Sequence, residues 1–241
     1  MKILFLDSGI PNHIDIPPTN INDSVNFFSL ENSKLYCNKY YYKNDIKKPF
    51  KSEVINDLGD HETNLVGYIN SRKIGKIDKC EVITGKILNK DGCGTMDQIL
   101  AGLEFANKID PKIINIATGY PLLPEMTNHE KKLHYLIREE IVKLYKKNII
   151  IVCACSNHLK EMLYPAKFNE TISVSIYYNP FEESEYICNI EYFITTSGID
   201  DYKVRKGSSL ATVYVTSKIC KILEQFPTIS ILELKKVLKN N

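Results

Sequence analysis

No excess of charge of one sign runs through this chain: 31 basic residues stand against 29 acidic ones, for a formal net charge of +2. That balance gives no electrostatic reason to expect nucleic acid or a membrane surface as a partner. Nor is there any stretch near the roughly 18 apolar residues that a membrane span needs. The first apolar run, Ile3–Leu6, is four residues long and ends at Asp7, too short for the core of a signal peptide. The seven cysteines (Cys37, Cys80, Cys93, Cys153, Cys155, Cys188 and Cys220) are odd in number and scattered, often inside apolar runs. With no export signal, reduced buried thiols and a cytoplasmic location are expected. No linker or internal repeat divides the chain, and no Asp/Asn-rich loop has calcium-ligand spacing. Cys153, Cys155 and His158 have no evident fourth ligand for zinc. Gly92-Cys93-Gly94 is not followed by the Gly-Lys-Ser/Thr of a phosphate loop. No metal and no cofactor are expected.

What is present reads as one domain, residues 1–241. With 44% hydrophobic and 25% charged residues, a chain of this length buries a large core unaided. Short apolar runs predict buried strands at Lys2–Leu6, Glu81–Leu88, Ile113–Ala117, Ile149–Ala154 and Ile172–Tyr177. Helical spacing marks Met96–Ile109 and His129–Lys147, a further helix starting near Ser208, and a short one from Ser230, whose Ser-x-x-Glu with Glu233 signals a capping box. Strand and helix in alternation predict an α/β fold with a mostly parallel sheet. Residues 11–56, with Pro17-Pro18 and the Tyr36–Lys48 segment, fit poorly and read as an insertion or elaborated loop region. Residues 178–206 lack clear periodicity, apart from a possible strand at Tyr192–Thr196.

Ligands bind beyond the carboxyl ends of parallel strands, so the residues after each apolar run carry the chemical interest. Asp7 follows the first strand, and alone it reads equally well as a turn former. His61 stands at a helix start, where a surface histidine is the commoner explanation. Ser209 enters a helix whose N-terminal N–H groups and dipole favour negative charge, although an N-cap serine serves there as well. Asn157 follows the strongest buried strand, as a loop residue or as an amide donor to an oxyanion. Together they meet the needs of acyl transfer: a nucleophile, a base, an acid to orient the base and an oxyanion donor.

The surrounding motifs resemble those of the subtilisin-like serine peptidases. Ile3–Ile10 (ILFLDSGI) resembles the segment carrying that family's aspartate, and His61–Gly67 (HETNLVG) its Gly-His-Gly-Thr-His-Val-Ala-Gly. Ile151–Asn157 (IVCACSN) resembles the strand ending in Ala-Ala-Gly-Asn, Tyr164-Pro165-Ala166 its Tyr-Pro-Ala, and Gly207–Thr212 its Gly-Thr-Ser-Met-Ala-Ser/Thr. The resemblance implies a three-layer fold with helices on both faces of the sheet, trimmed at the C-terminus, and no room for an N-terminal prodomain. It implies Asp7, His61 and Ser209 as catalytic triad, and Asn157 with the Ser209 N–H as oxyanion donors. A peptide or protein substrate would lie extended beside Gly92-Cys93-Gly94 and Thr118-Gly119.

Departures from the pattern shape the expectation. Asp60 and Glu62 replace the glycines flanking the histidine, and two carboxylates there are expected to raise the His61 pKa. Asn64 replaces the second histidine. Ser156 replaces a glycine lining the pocket before the scissile bond, which narrows it, while Cys155 and His158 make it more polar. The expected protein is an endopeptidase with a restricted substrate set, such as the leader of a precursor peptide. The alternative is a catalytically weak or inactive relative that binds an extended peptide or a partner protein.

Overall fold

The structure is a computed structural model, and it describes residues 1–19, 23–27, 56–77 and 80–239. The Tyr36–Lys48 segment and most of the 11–56 region lie outside the described residues. The chain runs β1 (Lys2–Asp7), β2 (Val25–Asn26), α1 (His61–Asn70), β3 (Glu81–Lys86), α2 (Met96–Ile109), β4 (Ile113–Ile116), α3 (Asn128–Lys146) and β5 (Ile150–Ala154). It continues through β6 (Ile172–Ile176), β7 (Tyr186–Cys188), β8 (Phe193–Ser197), β9 (Asp201–Arg205), α4 (Ser208–Gln225) and α5 (Ile231–Lys239). The fold is α/β, as the alternating pattern predicts. Seven strands form a parallel sheet in the order β2-β3-β1-β4-β5-β6-β7, and β8 and β9 pair separately as an antiparallel hairpin.

Period-two alternation splits the core into two layers. Ile3 and Phe5 of β1 face α1, α4 and α5, whereas Leu4 and Leu6 face α2 and α3. All four are fully buried, and each such side chain contributes about 1.5–3 kcal/mol relative to exposure. Thr95 and Thr127 start α2 and α3 with capping boxes to Gln98 and Glu130. Ser230 and Glu233 do the same ahead of α5, through Glu233 N to Ser230 Oγ at 3.2 Å and Ser230 N to Glu233 Oε2 at 3.0 Å.

The third predicted strand residue run stops short. β3 ends at Lys86 rather than Leu88, because Ile87 and Leu88 both donate their N–H to the Asp7 carbonyl, at 2.7 and 3.0 Å. This closes the ladder at the point where the chain leaves β1. The sheet reverses its order there: from β1 the chain goes out to β2 at the edge, returns through β3 beside β1, then crosses to β4. A crevice opens beyond the carboxyl ends at such a switch point, and Asp7 stands beside it.

Candidate functional site

Asp7 ends β1 with its carboxylate almost wholly buried. Its Oδ1 accepts from Ser8 N at 2.8 Å, Ser8 Oγ at 3.0 Å and His61 Nδ1 at 2.6 Å. His61 is the first residue of α1, and its side chain keeps 37% exposure. One ring nitrogen is therefore fixed by a buried carboxylate while the rest of the ring meets the crevice. The Asp7 carboxylate holds the His61 pKa above its ordinary value of 6.5, against the pull of burial, and Asp57 adds to the rise.

The two acids flanking His61 act otherwise than expected. Asp60, in the left-handed region at φ 62°, turns its Oδ2 to Ser197 Oγ (3.1 Å) and Gly198 N (2.9 Å), tying the β8–β9 turn to α1. Glu62 points into the interior with 0% exposure, accepting from Gly9 N at 3.0 Å and from Thr84 Oγ1 at 2.5 Å. The direction of the His61 shift agrees with expectation, but its causes are Asp7 and Asp57. Asn64 bridges to the same hairpin, accepting from Thr195 Oγ1 at 2.8 Å. The hairpin lies hard against α1: a Cβ on Gly67 would come within 1.7 Å of Thr196 Oγ1, so only glycine fits.

Asp57 is the residue that the sequence pattern leaves unmarked. Buried at 6% exposure, it accepts from Ser8 Oγ (2.8 Å), Gly59 N (3.2 Å) and Thr63 N (2.7 Å). Asp60 makes no side-chain cap, so Asp57 satisfies one of the free N–H groups at the start of α1 from three residues further back. An acid in a loop four residues before a histidine has no periodicity to announce it. Its only signal is an acid close ahead of a helix start. Lys86, at the end of β3, completes the buried set by donating to the Ser8 and Asn56 carbonyls. Burial lowers the Lys86 pKa, and Asp57, Glu62 and Asp7 oppose that shift.

Ser209 lies in the first turn of α4, half-buried, with Oγ donating to the Ala117 carbonyl at 3.2 Å rather than to His61. Gly207 precedes the helix at φ 142°, a conformation that favours glycine. Asn157 faces this turn. Its Oδ1 accepts from Ser208 N at 2.7 Å, which leaves the amide N–H₂ as the free end of the side chain. Ser156 is buried, and its Oγ accepts from His158 N (3.3 Å) and Leu159 N (3.0 Å). Cys155 is packed in the core, burial pushing its thiol up to about 12, and its backbone groups are taken by Val174 and Leu163. The expected polar contribution of Cys155 to a pocket is thus absent, because strand alternation turns its thiol toward α2 and α3.

Gly92, Cys93 and Gly94 form an exposed turn after β3, held by Asn89 Oδ1 accepting from Cys93 N at 2.9 Å. Thr118 and Gly119 follow β4. One cavity of about 540 Å³ joins Gly94 to Thr118 and Gly119, with Met96, Leu123, Met126 and Leu133 among its apolar walls. Among the described residues, no group of three or more His, Cys, Asp or Glu side chains is arranged to hold a metal ion. No described helix is long and apolar enough to cross a membrane.

A buried aspartate oriented on a histidine, a helix-entry serine and an asparagine amide, at the carboxyl edge of a parallel sheet, are the parts used by serine hydrolases. The family model described as Subtilase family matches residues 1–241, and the chain belongs to that family. It is 26% identical over 191 residues to an intracellular serine protease of Paenibacillus polymyxa, covering 70% of this chain and 55% of that protein. Against the major intracellular serine protease of Bacillus subtilis (strain 168) it is 24% identical over 194 residues, covering 71% and 57%. Against subtilisin BL of Lederbergia lenta it is 22% identical over 254 residues, covering the whole of this chain and 82% of that protein. The matches thus span little more than half the length of the first two relatives.

Proposed function

We propose that this protein is a serine endopeptidase, with Asp7, His61 and Ser209 as triad and Asn157 as oxyanion donor. The observation that carries the reading is the 2.6 Å contact of the buried Asp7 Oδ1 with His61 Nδ1. It fixes the tautomer that leaves Nε2 as a base. Rotation of the Ser209 side chain away from Ala117 brings Oγ to that base, since such bonds commonly tighten only when substrate is present. His61 takes the Oγ proton as oxygen attacks the peptide carbonyl. The developing oxyanion receives hydrogen bonds from the Asn157 amide and the Ser209 N–H. Imidazolium then returns its proton to the departing amine, leaving an acyl-serine ester that water hydrolyses by the same base.

The substrate lies extended between Gly92–Gly94 and Thr118–Gly119, one side chain entering the apolar cavity between them. Ser156, where the resembling motif has glycine, adds a buried side chain next to Asn157, which favours a restricted set of peptides, such as the leader of a precursor peptide, cut inside the cell. Two relatives described as intracellular serine proteases support that location. A fluorophosphonate probe should label the protein, and Ser209→Ala should abolish the label. A second reading, a peptide-binding relative that does not cut, rests on the Ser209 hydroxyl facing Ala117. Absence of labelling across a wide pH range in folded protein would establish it. Rapid digestion of unfolded casein would overturn the restricted substrate set, and mass spectrometry of a digested peptide library would define it.

A further inference from the structure

Glu62 occupies a place where the resembling motif has glycine, yet its side chain is the most completely buried acid beside the triad. Both of its oxygens are used: Oε2 takes Gly9 N–H at 3.0 Å and Oε1 takes the Thr84 hydroxyl at 2.5 Å. Its own N–H donates to Ser8 Oγ at 3.0 Å, and the single proton of that hydroxyl is shared between Asp7 Oδ1 and Asp57 Oδ1. The residue following the histidine therefore grips, from both its backbone and its side chain, the Ser8-Gly9 turn that aims the aspartate. The other Asp7 oxygen, Oδ2, has no hydrogen-bond partner among the described residues, so the orientation of this carboxylate that they supply comes through Oδ1, from that turn and His61.

We propose that Glu62 is a positioning residue of the Asp7–His61 pair, clamping the Ser8-Gly9 turn to Thr84 of β3 through a neutral carboxylic acid. The charges around it support the neutral form. Glu62 is faced by Asp7 from the end of β1, by Asp57 from the segment before α1 and by Lys86 from β3, while His61, its neighbour on α1, turns to the crevice. Two carboxylates against one buried ammonium already leave the set negative, and the imidazolium formed during reaction balances it. A third carboxylate would leave a net charge on a cluster whose acids and lysine are all buried, an expensive arrangement. Burial, and then the neighbouring Asp7, push the Glu62 pKa well above its ordinary 4.5, against the hydrogen bonds from Thr84 and Gly9.

This inference rests on the peptidase reading for its rate consequences but not for its geometry, so the test has two arms. In the neutral acid Oε1 carries the proton and the Thr84 contact reverses, Oε1–H donating to Thr84 Oγ1; Glu62→Gln reproduces that form, with a carbonyl for Gly9 and an amide donor for Thr84. Glu62→Met keeps the bulk and removes both bonds, and Thr84→Val removes one bond with little change of shape. Each variant is followed by the pH profile of kcat/KM and by the NMR titration and Nδ1 proton signal of His61, which need no turnover. The Gln variant should keep the wild-type profile and the His61 titration. The Met variant should lose about tenfold in kcat with KM little changed, as the positioning of a base demands, and its His61 Nδ1 signal should weaken. Thr84→Val should move the same way by less, and it carries the test if the Met variant does not fold. Wild-type behaviour of the Met and Val variants would overturn the clamp. A downward shift of His61 titration in the Gln variant would overturn the neutral form, since it would mean that a negative charge had been removed. If no variant and no wild-type protein turns over peptide, the peptidase reading fails while the His61 signals still judge the clamp.

Discussion

Asp57→Ala tests whether the charge behind His61 holds the site together. The change removes an acceptor shared by three donors: Ser8 Oγ, Gly59 N and the Thr63 N–H of the first turn of α1. Loss of a helix cap costs typically about 1 kcal/mol. Leaving a buried donor unmet costs about 1–3 kcal/mol. Ser8 keeps its bond to Asp7 Oδ1 and Gly59 is exposed, so only the Thr63 loss counts heavily, at about 2 kcal/mol. For a chain of this length that is a fall in Tm of roughly 4–8 °C. Urea unfolding followed by circular dichroism measures it, with the midpoint moving and the slope unchanged. Asp57→Asn retains an acceptor and should lose about half as much.

The same pair of variants separates charge from scaffold. Asp57 helps to raise the His61 pKa, so Asp57→Asn should move the ascending limb of the kcat/KM profile to lower pH while the fold survives. An Ala variant within about 0.5 kcal/mol of wild type, the spread of ordinary surface changes, would refute the account of Asp57 as the anchor of α1.

Asn157→Ala should lower kcat by about 10²–10³ with KM little changed, a range set by the same kind of change in subtilisin, and parallel initial-rate measurements at saturating substrate check it. Gly67→Ala should destabilise by more than about 3 kcal/mol, because its Cβ would strike Thr196 and lift the hairpin from α1; thermal unfolding reads the loss. A neutral His61 is required as base, so kcat/KM should rise with pH through a limb above about pH 6.5; a limb below about pH 6 would be inconsistent with the Asp7 contact. Stability should run in the opposite direction. Glu62 and His61 both have folded pKa values above their unfolded ones, so their contributions are fully present below about pH 4.5 and pH 6.5 respectively. Each is lost as pH rises through the folded value. Tm should therefore fall from pH 5 toward pH 8, and Glu62→Gln should flatten that slope.

The strands and long helices were legible because burial on both sheet faces and a period near 3.6 leave strong marks. Met96–Ile109 is found where the spacing puts it, and the strand starts agree within a residue. The hairpin was less visible. β9 reads Asp-Tyr-Lys-Val-Arg and is exposed at nearly every position, so no alternation marks it, and its existence depends on pairing with β8. Asp7, His61, Ser209 and Asn157 were legible as residues at element ends, but the behaviour of the acids beside His61 was not.

Adjacency in sequence says that Asp60 and Glu62 are near the imidazole, and electrostatics then assigns them its pKa. Direction decides otherwise. On a helix start, successive side chains diverge by about 100°, so residues 60, 61 and 62 face three different surroundings. One meets the hairpin, one the crevice and one the interior. The acid that does act on His61 besides Asp7 is Asp57, whose charge acts through space from the segment before α1. The interior position of Glu62 in turn explains how an acid can stand where the family motif has glycine. It adds no charge to the crevice when it carries its proton, and it supplies two hydrogen bonds that a glycine cannot make. A substitution that reads as damage to the base is, in three dimensions, a brace for the aspartate that orients it.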